Sequence, residues 1–124
     1  MDTPYTLAAA LVGSGAKAVV ETRAIVQKGA QNVKTQGRNN ALQSAPTRHA
    51  GAPHAITYDT KIQPTTVEAE IGYDKSRPGG ALGNLLEFGG GKDHSPPHRD
   101  LARALEAEEP RFVTQMDLMA GRLL

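Results

Sequence analysis

Two runs of strict alternation constrain this chain most. Ile56, Tyr58, Thr60 and Ile62 fall on one side of the first, with Thr57, Asp59 and Lys61 on the other; in the second, Val67, Ala69, Ile71 and Tyr73 oppose Glu68 and Glu70. Such alternation is the mark of a strand with one buried face. Gln63-Pro64-Thr65 between the runs is turn-forming. The pattern predicts an antiparallel hairpin, 55–62 with 66–73. A lone hairpin is marginal in water, so it must pack on helices or gain a neighbouring strand.

Helical spacing occupies both ends of the chain. Thr3 and Pro4 read as a cap and a first helical position. From 4 to 36, Leu7, Leu11, Ala18, Ile25, Gly29 and Val33 lie near one line, and Ala8, Val12, Gly15, Val19, Val26 and Ala30 near the next. This predicts a long N-terminal helix with a small-residue stripe that admits another backbone, ending at Gly37 as C-cap with Lys34 in the last turn. Residues 37–54 lack periodicity and read as an extended loop. Residues 81–88 read as a helical turn stopped by Gly89-Gly90-Gly91. From about His98, the residues Leu101, Leu105, Phe112, Met116, Met119 and Leu123 keep one phase. They predict a C-terminal helix that is kinked or broken near Pro110. The fold class expected is α+β.

A length of 124 residues suits a single domain, 1–124. Its core is thin. There are only 2 Phe, 3 Tyr and no Trp, and much of the apolar content is Ala, which leaves a small domain short of buried area. Some apolar surface is therefore expected to be covered by other subunits. With no Cys there is no disulfide, zinc–thiolate or thiol chemistry. The start lacks the basic region of a signal peptide, and the apolar run at 7–12 is too short to span a bilayer, so a soluble protein with no membrane association is expected. With 14 basic and 13 acidic residues, the net charge of +1 gives no global drive toward nucleic acid.

Candidate chemistry is sparse. Gly89-Gly90-Gly91-Lys92 lacks the Ser/Thr and the preceding strand of a phosphate loop. His94 and His98 are separated by Pro96 and Pro97, and His49 and His54 lie elsewhere, so surface or interface histidines are the expectation and no metal or other cofactor is implied. Glu68 and Glu70 share the polar face of a strand, Glu87 stands apart, and no nucleophile elbow is present. Catalytic residues are accordingly not assigned. Lys17, Arg23, Lys28, Lys34 and Arg38 give the first helix a basic bias. That is either a phosphate-facing surface, lining a channel or touching DNA, or a solvated helix face.

Residues 71–108 carry a resemblance. Ile71-Gly72-Tyr73-Asp74, then Leu85-Leu86-Glu87-Phe88-Gly89, then Ser95-Pro96-Pro97-His98 followed by Leu101, Ala104, Leu105 and Glu106 resemble, in order and spacing, motifs of the tail-completion (neck) proteins of long-tailed phages. Gly90 stands where many members have Thr or Ser, and His98-Arg99 where a Phe-Leu pair is commoner.

The resemblance implies a non-enzymatic virion protein, made in the host cytoplasm and placed at the head–tail junction. It implies a homo-oligomeric ring, usually of six. The ring would contact a head-closure (stopper) or adaptor protein on one side and a tail terminator or tail-tube protein on the other. DNA would pass through it without sequence-specific binding. Within the signature, Glu87 is expected to accept N–H bonds from the glycine loop or pair with a neighbour's Arg. Phe88 is expected to anchor the turn in the core, ahead of Gly89. Pro96 and Pro97 would fix the approach of the last helix, in which Leu101 and Leu105 are signature positions. The alternatives are a tail terminator or minor tail protein, a nucleic-acid-binding module, and an enzyme.

Overall fold

The chain runs β1 (Tyr5–Ala10), α1 (Ala16–Ser44), a 3-10 turn (Ala52–Ala55), β2 (Ile56–Ile62), β3 (Thr66–Tyr73), α2 (Gly80–Phe88) and α3 (Asp100–Leu123). These elements come from a computed structural model that describes residues 4–11, 13, 15–44, 52–89 and 96–123. The architecture is α+β, with a long helix near the N-terminus, a small antiparallel sheet and a C-terminal helix.

The hairpin forms as expected, with Ile56 opposite Tyr73 and Ile62 opposite Val67. On β3 the inward set is complete: Val67, Ala69, Ile71 and Tyr73 are all buried. Each fully buried aliphatic side chain of this size contributes about 1.5–3 kcal/mol, so the central strand is the best-anchored part of the sheet. β2 is an edge strand and receives less cover. Ile56 is buried, Tyr58 and Thr60 are half-buried, and Ile62 at the hairpin tip remains 49% exposed. The expected fully buried face of β2 is therefore realised only at one end.

The first helix does not begin at Pro4. Residues 5–10 instead form β1, antiparallel to β3, with Leu7 opposite Ala69. The sheet order is β1-β3-β2, so the hairpin gains its neighbouring strand from upstream. Leu7 and Ala9 point inward while Thr6, Ala8 and Ala10 are exposed. Alanine intrinsically favours helix by a few tenths of a kcal/mol per residue over most others. Pairing with the free edge of β3 and burying Leu7 outweigh that preference. Gly13 and Gly15, at φ of +80° and +88°, break any helical continuation toward α1. The cap expected at Thr3 lies outside the described residues.

α1 then runs to Ser44, past the stop expected at Gly37. Residues 38–44, read from sequence as loop, are helical, and 45–51 lie outside the described residues. Gly37 sits mid-helix because a Cβ there would stand 2.5 Å from Leu101 Cδ2. Gly29 is similar: its Cβ would stand 2.6 Å from Leu7 Cδ2 and 3.2 Å from Phe112 Cδ2. The small stripe does bury Ala18, Val26, Gly29, Ala30 and Val33, but it admits bulky side chains rather than another backbone. Gly37→Ala sets two effects against each other. Helix propensity favours Ala by about 1 kcal/mol, and overpacking of a close contact costs about 1–3 kcal/mol. Leu101 is only 1% exposed and has little room to yield. A net loss of stability in urea denaturation is expected despite the better helix former.

α2 starts after Gly79 in the left-handed region and ends at Gly89 (φ 76°), whose N–H donates to the Leu85 carbonyl. α3 begins at Asp100 and continues to Leu123 with Pro110 inside it, so of the kink or break expected there, no break occurs. A proline in a helix interior leaves the carbonyl four residues back without its donor. Here that carbonyl belongs to Glu106, which is exposed, so water can satisfy it. The expected phase survives: Leu101, Phe112 and Met119 are buried, and Leu105 and Met116 pack against the core. α1 packs against both the sheet and α3, with Gly29 facing Leu7 and Phe112 and Gly37 facing Leu101 and Ile56, and the core is where all three meet.

Candidate functional site

The start of α3 is where the signature residues converge. The first N–H groups of a helix have no partner within it and carry the positive end of its dipole. At α3 the missing acceptor comes from another element. Glu87, the penultimate residue of α2, is 2% exposed. Its Oε1 accepts from Leu101 N at 2.7 Å and its Oε2 from Ala102 N at 3.2 Å. The Tyr5 hydroxyl donates to Oε2 at 2.8 Å, which brings in β1. Glu87 is thus a backbone acceptor, as expected. Among the described residues its backbone donors belong to the start of α3 rather than to Gly89, whose N–H goes to Leu85. One carboxylate ties together three elements that are far apart in sequence.

The two aromatic neighbours of Glu87 respond to it. The Tyr5 phenol is pushed well above its ordinary value of 10.0, first by burial and then by the Glu87 hydrogen bond and charge. The Tyr73 phenol is also raised, by burial and then by the charges of Glu87 and Asp100. A folded-state pKa above the unfolded one means stability that is fully present below pH about 10 and lost as pH rises through the folded values. Urea midpoints are therefore expected to hold up to about pH 10 and to fall above it. Tyr5→Phe should reduce the steepness of that fall. A fall of unchanged slope in Tyr5→Phe would disprove the coupling.

Phe88 does not anchor the core. It is 45% exposed and stacks on Tyr5, with ring centroids 5.8 Å apart and planes 22° apart. The reason is helical geometry: Glu87 takes the inward position, so the adjacent residue must turn outward. Leu82 and Leu85 are also partly exposed on α2. Pro96 and Pro97 are exposed and precede α3. The approach of α3 is also held by backbone bonds, His98 N to Leu86 O at 2.8 Å and Arg99 N to Glu87 O at 3.2 Å. Arg99 takes a left-handed φ of 54° at the junction. Leu101 is buried and Leu105 packs against the core, as their helical phase predicts.

A second polar group, not anticipated from sequence, joins the end of α1 to the start of α3. Asp100 is 2% exposed; its Oδ1 lies 2.7 Å from Ser44 Oγ and 2.6 Å from an Arg103 guanidinium nitrogen. Asn40 Nδ2 donates to the Asp100 carbonyl at 3.0 Å. His98 Nδ1 is 3.8 Å from Asp100 Oδ2. Ser, His and Asp therefore meet here, but the hydroxyl is within bonding distance of Asp100 and of the Asn40 carbonyl (2.8 Å). A serine nucleophile needs its hydroxyl on the imidazole, with the carboxylate behind it. The group reads as a clasp between helices. The acidic residues are unremarkable one by one in sequence; only their remote partners reveal the role.

Glu108, 7% exposed, forms a third tie, accepting from Asn32 Nδ2 at 2.9 Å and Arg111 Nε at 3.1 Å. It lies in an open groove of about 440 Å³ between α1 and α3, which Lys28, Gln36 and Arg111 also line.

The five basic residues of α1 do not share one surface. Lys17, Arg23 and Lys28 are exposed. Lys34 lies over the Tyr58 ring at 5.9 Å from its centroid, and Arg38 Nε donates to the Pro53 carbonyl at 3.3 Å. The open face of the sheet carries Asp59, Glu68, Glu70 and Lys61, with Lys61 Nζ 3.0 Å from Glu70 Oε1. Glu68 and Glu70 are thus far from the buried Glu87 in role. Lys92, His49 and His94 lie outside the described residues, while His54 is exposed in the 3-10 turn. Among the described residues, no cluster of three or more His, Cys, Asp or Glu is arranged to hold a metal ion. No helix among them is long and apolar enough to cross a membrane.

Comparison of the chain with protein-family models, with curated proteins and with solved structures finds no match.

Proposed function

We propose that this chain is a structural, non-enzymatic subunit of a phage neck, a homo-oligomeric ring that joins the head connector to the tail and surrounds the DNA exit channel. One observation carries the reading. Glu87, at the centre of the Leu85–Gly89 signature, is buried and holds α2, α3 and β1 together. The residues that resemble the neck-protein signature thus have an architectural task in this chain, which supports a subunit whose work is geometry. The thin core supports it as well: Val20, Val113 and Leu118 are more than half exposed, and Leu82, Leu85, Phe88 and Ile62 are partly so, which suits a chain covered by neighbours. The partners proposed are copies of itself, a head-closure or adaptor protein on one side, and a tail terminator or tail-tube protein on the other.

A nucleic-acid-binding module is favoured by one feature: α1 carries five basic residues and a single acidic one, Glu21. The two readings separate in one experiment. Native mass spectrometry and electron microscopy of the full chain, alone and with head and tail components, are expected to give closed rings that join the particles. A chain that remains monomeric in every mixture, and binds duplex DNA with strong salt dependence, would overturn the neck reading.

A further inference from the structure

Two faces of the protomer carry opposite charge: the side of α1 turned from the sheet, where Lys28 edges the groove to α3, and the open side of the sheet. α1 packs its stripe against the inward side of the sheet, with Gly29 on Leu7 and Gly37 on Ile56. The residues half a turn away, Lys17, Ala24, Lys28, Gln31 and Thr35, are exposed and include no acid. The acid of α1, Glu21, lies 3.7 Å from Arg122 of α3. Lys17, Arg23 and Lys28 have no carboxylate partner among the described residues.

On the far side of the molecule the balance reverses. The strands carry one base, Lys61, against Asp59, Glu68 and Glu70. Asp59 stands directly opposite Glu70 in the ladder, a like-charge pairing that destabilises a sheet. Lys61 lies among all three carboxylates and, among the described residues, pairs with Glu70 alone. The rest of that face is small, with Thr6, Ala8 and Ala10 exposed along β1, so it offers a shallow floor on which a helix can lie.

We infer that the basic outer face of α1 in one copy seats on the open acidic face of the sheet in the next. Lys17 and Lys28 supply the cations that Asp59 and Glu68 lack. The patches lie on opposite sides of one protomer, so they cannot meet in a two-fold dimer. Front-to-back contact is heterologous and propagates until it closes as a ring or continues as a filament. The inference rests on the ring reading above and specifies which faces form the joint.

Charge reversal tests it in the full chain. One variant carries Lys17→Glu and Lys28→Glu, and a second carries Asp59→Lys and Glu68→Lys, with thermal melts checking that each remains folded. In sedimentation at low salt, each alone is expected to self-associate at least about tenfold more weakly than the parent. An equimolar mixture should recover association, because each reversed face then meets its complement in both directions round the ring. Variants that assemble like the parent, or a mixture that stays dissociated, would overturn the assignment of faces and leave the ring reading standing. So would intact assembly of the lysine variant with loss of binding to a short DNA duplex, which would make α1 a nucleic-acid surface. A parent chain that never associates, alone or with head and tail components, would remove the ring reading itself.

Discussion

Glu87→Gln is expected to cost about 2–4 kcal/mol of unfolding free energy, a large fraction of the stability of a small domain. The carboxylate accepts from Leu101 N, Ala102 N and the Tyr5 hydroxyl in a site that is 2% exposed. Glutamine has nearly the same shape but only one acceptor oxygen. Its amide nitrogen must face at least one of these donors, leaving a buried donor without an acceptor, which costs about 1–3 kcal/mol. The favourable interaction of a negative charge with the helix N-terminus is also lost, worth up to about 2 kcal/mol when partly buried. Urea denaturation of Glu87→Gln beside Tyr5→Phe measures this. A loss below about 1 kcal/mol for Glu87→Gln would mean that α3 is held by other contacts.

Gly80→Ala should be at least as damaging, for a steric reason. Gly80 opens α2, and its N–H donates to the Arg77 carbonyl at 3.0 Å. A Cβ at Gly80 would collide with the backbone carbonyl oxygen of Asp74, with Lys75 Cα also within reach. Backbone cannot swing aside as the tip of a side chain can, so the turn after β3 must rearrange. A cost of about 3 kcal/mol or more is expected, at the upper end of overpacking effects. Gly121→Ala is the matched control. Nothing lies within 4 Å of a Cβ there, and in the last turns of α3 alanine should gain up to about 1 kcal/mol. Thermal melts of the two variants should therefore move in opposite directions. A neutral Gly80→Ala would refute the close packing of the 74–80 turn.

What was legible in the sequence was whatever a local period encodes. Strict alternation located β2 and β3 to within a residue, and the phase of Leu101, Phe112 and Met119 located the inward line of α3 across Pro110. What was not legible depended on partners distant along the chain. Tyr5–Ala10 has alanine content and spacing compatible with helix, and becomes a strand because β3 offers an edge to pair with. Gly37 looks like a helix end, and is a mid-helix glycine because Leu101 needs the space. Glu87 was legible as a backbone acceptor but not as the acceptor for α3, since a cap supplied by another helix has no local pattern. Phe88 was assigned inward on its hydrophobicity, and the neighbouring Glu87 holds the inward position instead. At the level of the site, the signature residues were identifiable, and the clasp of Ser44, Asn40 and Asp100 was not.

The strand order also sets a schedule for biogenesis. β1 precedes β3 by more than fifty residues in the chain, yet β3 is its ladder partner, with Leu7 opposite Ala69, and its tether is Glu87 on α2. During synthesis β1 therefore emerges before the strand it pairs with, and Leu7 before the residues that bury it. The sheet can close only after β3 has been made, so β1 must wait for a partner synthesised later in the chain. Nascent chains stalled before residue 66 should accordingly be the forms most vulnerable to proteases and to misassembly with one another.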